Sequence, residues 1–437
     1  MGGSRATTRV CRVVTAGVGL VLLAACSDGP APAPSSATSG TPSLPPSPSS
    51  PSSTSSPAPT DATPPATSTA TSASATATGG PPASSSGCAD RLARGLSPAQ
   101  KAGQLIMVGA EGGQSTTAVD RVMQDQQVGA VILLGPWSGA STVSTAGQHW
   151  QGQARTASGG IGALLATDQE GGQVQRLTGA GFTSTPSALT QGSSPAEVAR
   201  TATLVGGQLA AAGVTVDLAP VADTVSADFA RQNAPIGAYD REFGHDPETV
   251  SAAVRAAVGS LQGAGVSATL KHFPGLGRVT GNTDLTATGT TDTVTTADDA
   301  DLAPFRAGVE VGVEVGADLV MVSSALYPKI DPDHRAAFSR AVVTGVLRER
   351  LGFRGVVITD DVGAAKAVAA VPVGDRAAQF ISAGGDIVLT ALPSTVPAMA
   401  GAVVARAAAD PAFASQVDAA VRRVLDLKVR RGLATCS

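Results

Sequence analysis

The chain has 437 residues, 15% of them charged, and a formal net charge of −4 at pH 7. It contains no basic run, which argues against nucleic acid as a partner. From the N-terminus, Arg5, Arg9 and Arg12 precede the apolar run AGVGLVLLAA and then Cys26 in LAAC. This is the pattern of a secretory signal peptide (1–25) ending in a lipobox, with Cys26 as the lipidated residue. The competing reading is a short uncleaved anchor, but the run is too short to span a bilayer comfortably.

Residues 26–87 are almost entirely Ser, Thr, Pro, Ala and Gly, and from Ser27 onward Asp28 and Asp61 are their only charges. Such a segment buries too little apolar surface to offset its ordering entropy, so a disordered tether is expected. At about 3.3 Å per residue it would reach on the order of 200 Å fully stretched. The expected location is therefore extracytoplasmic, on the outer face of the cell membrane, with the lipid anchor as the only membrane contact. Cys11 leaves with the signal, so Cys88 and Cys436 stand at the two ends of the globular part. Two readings stand: a disulfide that clasps the termini, or two unpaired thiols.

The 350 residues of 88–437 suffice for one large domain. Apolar, mostly β-branched runs recur with helical stretches between them: LIMVG at Leu105, VGAVILL at Val128, ALLATD at Ala163, TVDLAP at Thr215, SATLKHF at Ser267, DLVMVSS at Asp318, GVVITD at Gly355 and DIVLT at Asp386. Continuous apolarity means burial on both faces, and alternation with helices means parallel pairing. Eight such units predict an α/β fold, a (β/α)8 TIM barrel, with a doubly wound open sheet as the competitor. A closing helix should bury Val417, Val421, Val424 and Leu425 on one face.

In a barrel, functional groups gather where strands end. Asp168 ends the third run, Lys271 and His272 the fifth, Ser323 and Ser324 the sixth, Asp360 and Asp361 the seventh. In ATDQEGGQVQRL a Gly pair permits an unusual backbone path and returns Arg176 eight residues after Asp168. A carboxylate and a guanidinium on one cavity suit sugar hydroxyls; the plain alternative is an Asp168–Arg176 ion pair closing the loop. Lys271 and His272, adjacent on a strand, should point oppositely unless the chain turns, as Pro274 and Gly275 allow. Asp360 fits a nucleophile at the rim, and Asp361 fits a loop or helix cap.

DQEGGQVQR, YDREFGHDPE, KHFPGLG and the LGFRGVVITDD run after FSRAVVTGVLRERLG, in this order and spacing, resemble glycoside hydrolase family 3, in particular its single-domain bacterial β-N-acetylglucosaminidases. The resemblance covers residues 90 to 432. It implies Asp360 as the nucleophile that forms a covalent glycosyl-enzyme with retention of configuration. It also implies that Asp168, Arg176, Arg241, Lys271 and His272 hold the non-reducing N-acetylglucosamine. Where the family loop runs from KHFPGHG to Asp-Ser/Thr-His, with the His as general acid/base and the Asp orienting it, this chain has Asn282, Thr283 and Asp284.

Three readings of that departure stay open: Asp284 replaces the histidine, another carboxylate such as Asp292 or Glu170 serves, or the acid/base is lost. An aspartate acid needs its pKa raised from near 4 by burial or neighbouring charge. An amide at 282 avoids carboxylate repulsion and can donate to Asp284. The expected substrate is an N-acetylglucosamine-containing glycan or muropeptide, and the expected form is a monomer. The alternatives are a sugar-binding lipoprotein with weak or lost catalysis, a β-glucosidase, or a phosphorylase, whose anionic acceptor Asp284 would repel. His149, His245, His272 and His334 are scattered, so no metal is expected, and the implied two-carboxylate chemistry needs no cofactor. Trp137, Trp150 and His245 are candidates for shaping subsites or for packing.

Overall fold

The computed structural model describes residues 85–310 and 316–436. The expected signal peptide, the lipidation at Cys26 and nearly all of the expected tether lie outside the described residues. Eight strands form one parallel sheet: β1 (Ile106–Glu111), β2 (Ala130–Leu134), β3 (Leu164–Thr167), β4 (Val216–Asp217), β5 (Ser267–Phe273), β6 (Leu319–Val322), β7 (Val356–Thr359) and β8 (Val388–Thr390). Their order is β7-β6-β5-β4-β3-β2-β1-β8, so each strand neighbours its sequence neighbour and β1 returns to β8. A parallel bridge between Ile358 and Ile387 brings β7 to β8 and closes the ring, with Thr359 N donating to Ile387 O at 3.0 Å. Each of the eight apolar runs is a strand, and the open-sheet alternative is excluded.

The strands form because their residues are apolar on both faces: every residue of β3, β5, β6 and β7 is buried. Three of the surrounding helices start on the same signal. Ser194, Asp246 and Asp410 each cap a helix with the side-chain oxygen, and a proline follows directly in Pro195–Ala211, Pro247–Gly263 and Pro411–Arg430. Proline suits the first turn, where its missing N–H costs no hydrogen bond. The last helix buries Val417, Val421, Val424 and Leu425 as the sequence pattern requires.

The first described helix, Ser85–Gly95, starts inside the segment expected to be tether, three residues before Cys88. Its Ala89 and Ala93, with Leu96 just beyond it, join the core, and it packs on Pro411–Arg430. Cys88 and Cys436 are joined as a disulfide, Cα atoms 5.6 Å apart. This seam closes the barrel at the end away from the strand C-termini.

Candidate active site

The Gly pair of DQEGG adopts positive φ, 97° at Gly171 and 56° at Gly172. A Cβ on Gly171 would sit 2.3 Å from the Pro186 carbonyl oxygen, so no other residue fits this turn. The chain doubles back into a short hairpin, Gln169–Gly171 against Val174–Gln175, and Arg176 N donates to Asp168 O at 3.2 Å. The hairpin is locked by Gln169, whose side chain donates to Leu177 O at 2.8 Å and accepts Leu177 N at 3.0 Å.

Seven of the residues singled out in the sequence line one cavity of about 490 Å³ at the C-terminal mouth of the barrel: Asp168 after β3, Arg176 from the hairpin, Arg241 from the loop after β4, Lys271 and His272 on β5, Asp284 from the loop after β5, and Asp360 after β7; Ser323 and Ser324, after β6, are buried and do not line it. Lys271 and His272 both enter it, across a cis peptide. Asp168 pairs with Lys271 Nζ at 2.6 Å and not with Arg176. Among the described residues the Arg176 side chain has no hydrogen-bond partner, and its buried Nε is unsatisfied.

Glu170 organises the cations. Its Oε1 lies 2.6 Å from Lys271 Nζ and 2.7 Å from Arg241, while Oε2 accepts Arg241 Nε at 2.8 Å. Burial alone would raise its pKa, but the Arg241 and Lys271 charges hold it well below the usual carboxylate range. Burial likewise opposes the charge on Lys271, and Asp168 and Glu170 outweigh it, raising the ammonium pKa. Glu170 is thus a fixed anion, unsuited to donating a proton. Asp292 is also removed as a candidate acid: it is buried and spends both oxygens on Val294 N, Thr295 N and Thr295 Oγ1 at 2.6–2.9 Å.

His272 is oriented from beneath. Its Nδ1 lies 2.7 Å from Asp223 Oδ2, and the fully buried Asp223 also accepts the amides of His272 and Leu276. Asp217, buried at the end of β4, accepts Gln169 N at 3.1 Å and leaves Oδ2 unpaired; burial pushes its pKa up to about 7. Asp223 and Asp217 are absent from the residues that sequence reasoning singles out. Both stand in TVDLAPVAD near the end of the fourth run, and an acidic residue there is the only signal that flags them.

Asp284 and Asp360 face the same cavity. Loss of hydration in the cavity mouth, then the charges of Asp360 and Asp361, push the Asp284 carboxyl up to about 7. The residue itself is exposed, so the neighbouring carboxylates are the firmer cause. Asn282 does not donate to the Asp284 carboxylate; its Oδ1 instead accepts the Asp284 amide at 2.9 Å. Asp361 is a loop clamp, accepting the amides of Gly363, Ala364 and Ala391.

Trp137 and Trp150 lie outside this cavity, edge to face at 6.1 Å beneath an open depression of about 1020 Å³. Their indole N–H groups are spent on Leu134 O and Asp120 at 3.0 Å, which makes them packing residues. His245 is engaged with Val225 O at 3.0 Å and does not reach the cavity.

A parallel eight-stranded barrel whose C-terminal mouth holds two carboxylates and a cluster of cations on one cavity has the layout of a glycosidase site. Residues 99–427 match the family model described as glycosyl hydrolase family 3 N terminal domain, and the chain belongs to that family of glycoside hydrolases. Among curated relatives, the β-hexosaminidase of Xanthomonas oryzae pv. oryzae is 37% identical over 241 residues, covering 53% of this chain and 68% of that protein. Among solved structures, the β-N-acetylhexosaminidase from Beutenbergia cavernae is 47% identical with a TM-score of 0.72, covering 76% of this chain and 99% of that one. A family 3 β-N-acetylglucosaminidase from Paenibacillus is 29% identical with a TM-score of 0.68, covering 78% of this chain and 64% of its own.

Proposed function

We propose that this protein is a retaining exo-β-N-acetylglucosaminidase, in which Asp360 is the nucleophile and Asp284 the general acid/base. The observation that carries the reading is the placement of these two carboxylates on one cavity with Asp168, Arg176, Arg241, Lys271 and His272. In the first step the Asp360 carboxylate bonds to the anomeric carbon as the glycosidic bond breaks, and Asp284 gives its proton to the leaving oxygen. In the second, Asp284 takes a proton from water, whose oxygen bonds to the anomeric carbon and releases Asp360. The relatives' names supply the N-acetylhexosamine; a lipid-anchored, wall-facing location, expected from the N-terminal sequence, supports peptidoglycan fragments as its source.

A carboxyl raised to about 7 suits this double duty, since near neutrality it is available both protonated and ionised. The proton is present below that value, so cleavage of unactivated substrates should fall as pH rises through about 7. The deciding experiment compares wild type and Asp284→Ala on an aryl β-N-acetylglucosaminide, whose leaving group hardly needs protonation, and on an N-acetylglucosamine disaccharide. The disaccharide rate should fall by about 10²–10⁴-fold, with formation of the glycosyl-enzyme from the aryl substrate largely kept. Equal losses on both would overturn the assignment of Asp284. Binding of N-acetylglucosamine by wild type without turnover of either would identify a sugar-binding protein instead.

A further inference from the structure

The residues around Asp284 are fixed from two sides. From within, Asn282 Oδ1 accepts the Asp284 amide at 2.9 Å, while the Asn282 carbonyl accepts the amides of Leu285 at 3.1 Å and Thr286 at 3.0 Å. One residue thus closes the turn with both its side chain and its main chain. From outside, Lys366 N donates to Asp284 O at 3.1 Å and Ala367 N to Thr283 O at 3.0 Å.

Those two amides lie in the loop after β7, which begins at Asp360. That loop is held in turn by Asp361, whose Oδ1 accepts Gly363 N at 2.8 Å and Ala391 N at 3.0 Å and whose Oδ2 accepts Ala364 N at 3.1 Å. Hydrogen bonds therefore fasten this loop at two places, to the carboxylate of the residue after Asp360 and to the turn that carries Asp284, with Asp361 also tying it to the loop after β8.

We propose that Asn282 is a positioning residue for Asp284, and that the bonds from Lys366 and Ala367 fasten its turn to the loop of Asp360, so that one frame carries both carboxylates before substrate arrives. The inference rests on the acid/base and nucleophile roles proposed for Asp284 and Asp360. A side chain as short as aspartate's reaches only as far as its backbone is brought, so the placement of the Asp284 main chain decides where the proton sits. Asparagine is suited to the task because its amide oxygen mimics a backbone acceptor two residues ahead without adding charge. A carboxylate at 282 would make the same bond but would stand beside Asp284, Asp360 and Asp361.

The test uses the whole protein with the aryl N-acetylglucosaminide and the disaccharide, and takes Asn282→Ala, Asn282→Ser and Asp284→Ala in parallel. Asn282→Ala removes the acceptor, and misplacement of the acid by an ångström costs on the order of 10²-fold. Its kcat/KM on the disaccharide should fall roughly 10- to 100-fold, mostly in kcat, with less than about a 3-fold change on the aryl substrate. Asn282→Ser, which keeps a local acceptor, should recover most of the loss. A loss shared equally by both substrates, or no loss, overturns the proposal while Asp284→Ala still discriminates. If Asp284→Ala does not discriminate, the acid/base reading itself fails and the inference with it. Amide exchange of the wild type gives a check that needs no variant: the Asp284 amide should be protected, and exchange at the rate of a free loop amide overturns the proposal.

Discussion

At the scale of single residues, the site divides into groups already neutralised by the fold and groups left open for a ligand. Lys271 and Arg241 are committed to Asp168 and Glu170, and Glu170 is buried to 3% side-chain exposure. Removing Arg241 would therefore leave a buried anion poorly compensated and cost stability as well as binding. Arg176 differs: it lines the cavity, and no side-chain partner among the described residues engages its guanidinium. Arg176→Met should raise KM for an N-acetylglucosaminide by about 10- to 100-fold, the loss of a charged hydrogen bond worth about 1.5–3 kcal/mol, and hardly move the unfolding midpoint. Steady-state kinetics and thermal unfolding of the same preparation check both halves. Asp168, Lys271 and Asp360 are legible because strand ends are visible in the sequence. The pairing of Glu170 with Arg241, 71 positions away, and of His272 with Asp223, 49 away, is not, because side-chain partners across loops leave no local pattern.

At the scale of elements, the eight strands can be read because a run buried on both faces is apolar whatever its neighbours are. The short hairpin Leu326–Tyr327 with Asp331–Arg335 cannot, since its outer strand, DPDHR, is largely exposed and carries no apolar period. The helix Ser85–Gly95 is hidden by the serine-rich composition that precedes it; packing against the last helix, and not local propensity, holds it. Closure of the barrel is an element-scale property with an unexpected owner. Asp386, just before β8 and fully buried, accepts Val357 N at 2.7 Å and joins Arg348 and Arg423 at 2.7 Å each. It thereby fastens β7 to the start of β8 and to two helical segments. Asp386→Ala leaves Arg423 and one buried amide without their partner and Arg348 with only the Gly384 and Gly355 carbonyls, and with both arginines partly hydrated the cost should be about 2–4 kcal/mol. Denaturant unfolding measures it; a loss under about 1 kcal/mol would mean the seam is held by packing alone.

At the scale of the whole molecule, the C-terminal mouth pairs its buried cations with anions, and the N-terminal end does the same at Asp386. One buried charge at the N-terminal end is handled differently: Lys428 is met by neutral oxygens. Its Nζ meets Gln104 Oε1 at 2.5 Å and Gly129 O at 2.8 Å, bridging the last helix to the segments that lead into β1 and β2. Burial alone pushes its pKa down from 10.5 to about 7. Linkage sets the sign of the consequence: between about pH 7 and 10.5 the unfolded chain binds a proton that the folded one does not, so the stability contributed by this site rises with pH across that window. At about 1.4 kcal/mol per pH unit, the step from about pH 7.5 to about pH 9.5 is worth on the order of 2–3 kcal/mol. Lys428→Met keeps the length of the side chain and removes the titration. The difference in unfolding free energy between wild type and this variant, measured in denaturant at both pH values, should shift in favour of wild type by that amount as pH rises. A difference that stays constant would mean that Lys428 remains charged in the fold, with the Gln104 and Gly129 oxygens supplying enough field to keep it so.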